Sequence, residues 1–192
     1  MLIVGTDLLE VDRSLVRGEL RCPGCAGELR PWSHATSRGV RFSDVTVVVC
    51  PRRSRCSGCR CTHVLLPSSM LVRRADAGVV IGAALEAKAR GEGHRPIARA
   101  LGVPVSTVRG WLRRFGGRAG AWWVVFTTLL HALDSMAAPV TVRASVFADA
   151  VEVLALASAA ATRRFGPRPP WQFVSLASGG LLLGPVPAGA AG

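Results

Sequence analysis

The 192-residue chain carries a formal net charge of +12. All but one unit of it lies in the first 120 residues, because residues 121–192 hold four arginines (Arg143, Arg163, Arg164, Arg168) against Asp134, Asp149 and Glu152. A chain of this length suits one ordinary domain or two small ones, and so concentrated a charge attracts polyanions over a Debye length of roughly 10 Å. No uncharged run suits a spanning helix: residues 119–133 make only 15, and the run after Arg168 is broken by Pro169, Pro170, Pro185 and Pro187, where a bilayer requires about 20 apolar residues.

In chain order, Met1 to Glu10 has no basic n-region and meets Asp7 and Glu10 early, so no secretory signal is expected. The six cysteines then read as reduced thiols of a soluble, cytoplasmic protein rather than as disulfides. Residues 1–20 alternate apolar clusters with acids and read as a lead-in segment, either a strand or irregular. Residues 21–67 read as a zinc ribbon, in which Val40–Phe42 and Val45–Val49, β-branched and aromatic, are expected strands. Residues 68–117 read as a helix-turn-helix domain. Asp76 is the expected N-cap of a first helix over Val79–Arg90, which Gly91 and Gly93 end. Pro96 suits the first turn of a second helix reaching Leu101, Gly102 permits a sharp turn, and a third helix runs from about Val105 to Phe115. Residues 118–183 are expected to form further helices split near Pro139, the second over Ala144–Phe165, and then a short helix or loop over Trp171–Leu183. The Gly/Pro/Ala-rich residues 184–192 form an expected disordered tail. The expected fold class is therefore α+β, mostly α: a small β zinc ribbon, a three-helix unit with a helix-turn-helix, and C-terminal helices.

Two Cys-x-x-Cys pairs carry the first chemical signal. Cys22-Pro23-Gly24-Cys25 and Cys56-Ser57-Gly58-Cys59 are separated by 30 residues. Each places two thiolates on a tight, glycine-containing turn, and together they give a closed tetrahedral set for a structural Zn2+. Four thiolates leave no open coordination position, so this metal is expected to stabilise rather than catalyse. His34, His63, Cys50 and Cys61 are rivals for a ligand position. Cys61 is too close to Cys59 to share a knuckle, and Cys50 and Cys61 read as small hydrophobic residues or oxidation-sensitive thiols.

The second signal lies in the spacing of Ala98, Gly102 and Val108: a small residue where two helices cross, a glycine at the turn and an apolar residue packed beneath it. Ile97, Leu101, Val103, Trp111 and Leu112 complete an inner face, which turns Val105, Ser106, Arg109, Gly110, Arg113 and Arg114 outward. A recognition helix reads the major groove with residues near its N-terminus, so Ser106 and Arg109 are expected at base edges, Arg109 with its fork on guanine O6 and N7. Arg99, Thr107, Arg113 and Arg114 are expected phosphate contacts. Arginine dominates the chain, with Lys88 the sole lysine, so the placement of the arginines argues for phosphate more than their number does.

The runs Arg55–Pro67, Gly93–Pro104, Ser106–Arg109 and Trp111–Phe115 resemble those of a family of uncharacterised bacterial proteins that join a zinc ribbon to a helix-turn-helix. They are similar also to the N-terminal DNA-binding part of insertion-sequence transposases. The resemblance covers about residues 20–117 and implies DNA binding and a link to mobile elements; Cys50 and Cys61 look like additions of this chain. A transposase needs a carboxylate triad for two metal ions, and past residue 117 only Asp134, Asp149 and Glu152 remain, which read as solvated acids. No nucleophile triad or glycine-rich phosphate loop is found, so no enzyme is expected.

The sequence thus reads as a sequence-specific binder of double-stranded DNA, either a transcriptional regulator or a mobile-element recognition protein. The rivals are an adaptor that binds a protein partner, such as a transposase or the transcription machinery, and an inactive transposase remnant. The apolar C-terminal helices suit either the core around the helix-turn-helix or a homodimer interface.

Overall fold

Residues 1–142 and 145–185 are described by the computed structural model, so residues 186–192 of the expected tail, and the Ala144 start expected for one helix, lie outside the described residues. The chain begins with strand β1 (Leu2–Val4) and helix α1 (Leu8–Val16). Asp7 caps α1 by accepting from the N–H groups of Leu9 and Glu10, and Val11 and Leu15 are the residues it buries. The lead-in is therefore part helix. Its signal is an acid at the N-cap with a glutamate three residues on, a capping-box pattern too short to stand out by periodicity.

Five strands follow: β2 (Leu29–His34), β3 (Arg38–Arg41), β4 (Thr46–Val49), β5 (Arg52–Cys56) and β6 (Thr62–Pro67). One sheet has the order β1-β6-β5-β2, with β1 parallel to β6 and the other pairs antiparallel. The two strands expected between the knuckles, β3 and β4, form a separate hairpin. Successive side chains of a strand point to opposite faces, and β6 uses this fully. Leu65 and Leu66 are both 0 % exposed, yet Leu65 joins a small cluster with Val4, Val11, Leu15, Leu29, Cys22 and Cys56, whereas Leu66 joins the main core.

The main core is helical: α2 (Gly78–Ala89), α3 (His94–Leu101), α4 (Val105–Gly116), α5 (Ala119–Leu133), α6 (Val146–Phe165) and α7 (Pro170–Ala177). With β1–β6 before them the fold is α+β and mostly helical. Helix α2 lies at its centre, burying Val80, Ile81, Ala84 and Leu85. Its Gly82 permits contact with Trp171, because a Cβ there would stand 2.0 Å from the indole ring.

Two expectations need correction, and one open alternative finds its answer. Asp76 does not cap α2: Ala77 holds the N-cap position and no side chain caps the helix. Asp76 is instead buried against the hairpin, where Arg41 Nε lies 3.2 Å from Oδ1 and the Arg41 backbone bonds Ala75 and Ala77 on either side. Asp149 is buried in α6 rather than solvated, and Asp134 pairs with Arg163 at 2.8 Å. The large residues of α5 fill the chain's own core: Trp122, Phe126 and Leu130 are buried there, and Trp122 Nε1 donates to the Leu182 carbonyl at 3.0 Å. That packing gives the homodimer expectation no support. Among the described residues no helix is long and apolar enough to cross a membrane.

Candidate metal centre and nucleic-acid interface

The two knuckles repeat one backbone design. The first leads into β2, and the second connects β5 to β6. In each, the first cysteine's N–H bonds a carbonyl five residues on, Cys22 to Gly27 at 2.8 Å and Cys56 to Cys61 at 2.9 Å. The residue after the second cysteine is left-handed in both, Ala26 at φ 57° and Arg60 at φ 62°. That bend turns the next N–H, of Gly27 or of Cys61, back onto the second sulfur of its pair. Two non-glycine residues in a costly conformation at equivalent positions mark backbone shaped around sulfur.

The four sulfurs converge. The Sγ atoms of Cys22, Cys25, Cys56 and Cys59 all lie within 4.8 Å of one another, with Cys25 and Cys56 at 3.4 Å and Cys22 and Cys59 at 3.7 Å. A tetrahedral zinc with bonds of about 2.3 Å holds its sulfurs about 3.8 Å apart, so the set fits such an ion. Gly27 keeps the space clear, since a Cβ there would stand 3.0 Å from the Cys56 sulfur. The N–H of Gly27, then the neighbouring thiol of Cys56, lower the Cys25 pKa to about 6, favouring the thiolate a metal requires. At Cys59 the Cys61 N–H pulls the same way, but the surrounding thiols and burial outweigh it and raise that pKa.

The rivals sort clearly. His63 Nε2 lies 3.4 Å from the Cys22 sulfur, while its Nδ1 is buried without a partner. Burial lowers its pKa and favours the neutral ring, and its contact with the Cys22 sulfur places it beside the four-cysteine set rather than within it. His34 is exposed and bonds Arg52. Cys50 and Cys61 are exposed rather than buried hydrophobic residues.

The helix-turn-helix elements meet as the spacing requires. Ala98 and Val108 are buried, and Gly102 turns the chain at φ 61° between α3 and α4. Ile97, Val103, Trp111 and Phe115 are buried with them; Leu101 and Leu112 are half-buried against the same core. On the other side Arg99, Val105, Ser106, Arg109, Arg113 and Arg114 are exposed, Thr107 and Gly110 half-exposed. All seven expected contact residues thus lie on α3 and α4, six with exposed side chains. A residue the sequence reading missed holds the turn: Arg41 Nη1 donates to the Gly102 carbonyl at 3.2 Å. Arg41 and Gly102 are 61 positions apart in the chain, and no local pattern announces their meeting.

With this geometry in place, the comparisons are specific. The family model for a homeodomain-like domain matches residues 81–122. Residues 81–122 carry a homeodomain-like helix-turn-helix. The match spans most of α2, all of α3 and α4, and the start of α5. No curated protein and no solved structure matches the chain.

Proposed function

We propose that this protein binds double-stranded DNA sequence-specifically through α4, with one structural zinc held by Cys22, Cys25, Cys56 and Cys59. The observation that carries the reading is the exposed row Ser106, Arg109 and Arg113 on the third helix of a homeodomain-like unit. In that unit the third helix enters the major groove. Arg109 then meets a guanine, Ser106 a neighbouring base edge, and Val105, apolar and exposed, a thymine methyl. Arg99, Thr107, Arg113 and Arg114 hold the backbone phosphates and set the register. Bound zinc supplies cross-linking of the two knuckles, which the small cluster beside them is too slight to replace.

The role is recognition without catalysis, in the cytoplasm, for transcriptional regulation or for marking a mobile-element target. Selection of bound duplexes from a random pool tests it. The expected outcome is an enriched motif with a guanine whose requirement disappears in Arg109→Ala. Recovery of unenriched DNA, or of none, overturns sequence-specific reading and favours the adaptor.

A further inference from the structure

A second charged surface lies on the ribbon, outside the helix-turn-helix match. Trp32 on edge strand β2 is 56 % exposed, whereas Trp111 and Trp122 are buried at 2 % and 1 %. The register of β2 against β5 slips between Pro31 and Ser33, leaving Trp32 as the extra residue of a bulge. Bulges re-aim side chains, and this one presents an indole to solvent. The Arg55 guanidinium lies 4.7 Å from the ring centroid, covering one face of the indole.

The neighbours of Arg55 are as telling. It sits directly opposite Arg30 on β2 and Thr62 on β6, and strand alternation puts Arg53 on the same face. Like charges facing each other across two strands destabilise a sheet, and Arg30 opposite Arg55 is such a pair. Glu28, 3.4 Å from Arg30, answers one charge, and Arg53 Nε is buried without a partner. Trp32 packs into neither apolar cluster. A purely structural role explains the stacking of Arg55 on Trp32, but not opposed arginines beside a ring that a bulge exposes. A polyanion carrying flat aromatic groups explains all three.

The geometry points to a binding site for single-stranded nucleic acid on the β2–β5 face, with Trp32 stacking on an unpaired base and Arg30, Arg53 and Arg55 on its flanking phosphates. Stacking on exposed aromatic residues along a basic strand surface is how unpaired bases are held without sequence preference. Within a duplex each base has neighbours on both faces, so Trp32 selects for unpaired DNA. The site shares no residue with α3 or α4 and stands or falls separately from the duplex reading.

The test uses the full-length, zinc-loaded protein with a fluorescein-labelled oligothymidylate and, in parallel, a duplex. Trp32→Ala is expected to weaken oligothymidylate binding by roughly tenfold, within the worth of one stacked base, and to leave duplex binding unchanged. Trp32→Phe recovers most of the loss. Oligothymidylate quenches tryptophan emission in the wild type and not in Trp32→Phe. Arg109→Ala does the reverse, weakening the duplex alone, so failure at one site is distinguishable from failure at the other. Unchanged zinc content and circular dichroism establish that the variants fold. Oligothymidylate that does not bind, binding indifferent to Trp32→Ala, or equal losses on both DNAs each overturn the site.

Discussion

Arg41 bonds the turn at Gly102 and Arg109 lies on the helix that follows it, and their surroundings give them opposite uses. Arg109 leaves α4 into solvent, one turn in, beside the buried Val108. Arg109→Ala is expected to cost roughly 1–3 kcal/mol on the preferred site, the worth of a bidentate base contact. On scrambled duplex the loss is smaller, because one positive charge alone is removed, and stability is unchanged; equal losses on both DNAs make Arg109 a phosphate anchor. Arg41 points inward, to the Asp76 carboxylate and the Gly102 carbonyl. Burial holds the Asp76 carboxyl above its ordinary pKa, and Arg41 opposes that rise. Arg41→Met is expected to destabilise by roughly 1–3 kcal/mol, since it leaves a buried acid and a carbonyl without partners, and to raise the Asp76 pKa further. The sign of the pH dependence follows. A carboxyl whose folded pKa exceeds its unfolded one favours folding when protonated, and that advantage is lost as pH rises from the unfolded value through the folded one. The deficit of Arg41→Met is therefore largest near neutrality and shrinks on acidification. Urea midpoints compared at neutral and at acidic pH check it; a deficit independent of pH removes Asp76 from the account.

At the scale of elements, the four-cysteine cluster and the helices depend on different cores. Cys22 and Cys56 belong to the small cluster under the sheet, whereas the main core contains no cysteine and includes Val40 from the β3–β4 hairpin. Chelation, or Cys25→Ser, is expected to release one zinc per chain and to expose the amides of β2 and the knuckles to hydrogen exchange. Helices α2–α7 and the amide of Val40 stay protected, because their burial does not depend on the ion. Metal analysis with residue-resolved exchange decides it, and a zinc-free chain with a protected β2 refutes it. The same division shows what could be read from the sequence. The cysteine pairs declare themselves because four sulfurs that converge on one point need paired, short spacings, and the Ala98, Gly102 and Val108 pattern does so because two crossing helices tolerate little else. The hairpin followed from β-branched residues on both sides of Ser43-Asp44. The role of Asp76 was not legible, because an acid before a helix suits a cap or an ion pair equally until Arg41 arrives from 35 positions away. Nor was the exposure of Trp32, since a bulge is a feature of register between strands and leaves no mark on either one.

For the molecule as a whole, charge and architecture pull together. Nearly all the net positive charge lies in residues 1–120, which the cysteine-bearing sheet with its hairpin and the helix-turn-helix occupy. Strand β6 joins these two parts, with Leu65 under the side that bears the four cysteines and Leu66 in the helical core. The apolar helices α5 and α6 carry little net charge, so the attraction for a polyanion is directional rather than spread over the surface. Counterions condensed on duplex DNA are released as arginines replace them, so affinity falls with salt in proportion to the phosphates contacted. Arg113 and Arg114, exposed on the last turns of α4, are placed to make two such contacts. Replacing both with alanine is expected to weaken binding to every duplex alike and to flatten the plot of log affinity against log salt by roughly one unit per arginine. The base preference expected of Arg109 is expected to survive in that variant, because no proposed groove contact is lost. Titrations across a salt series, on preferred and scrambled duplexes, separate the two effects. An unchanged slope places these arginines away from the backbone, and a changed base preference places them in the groove.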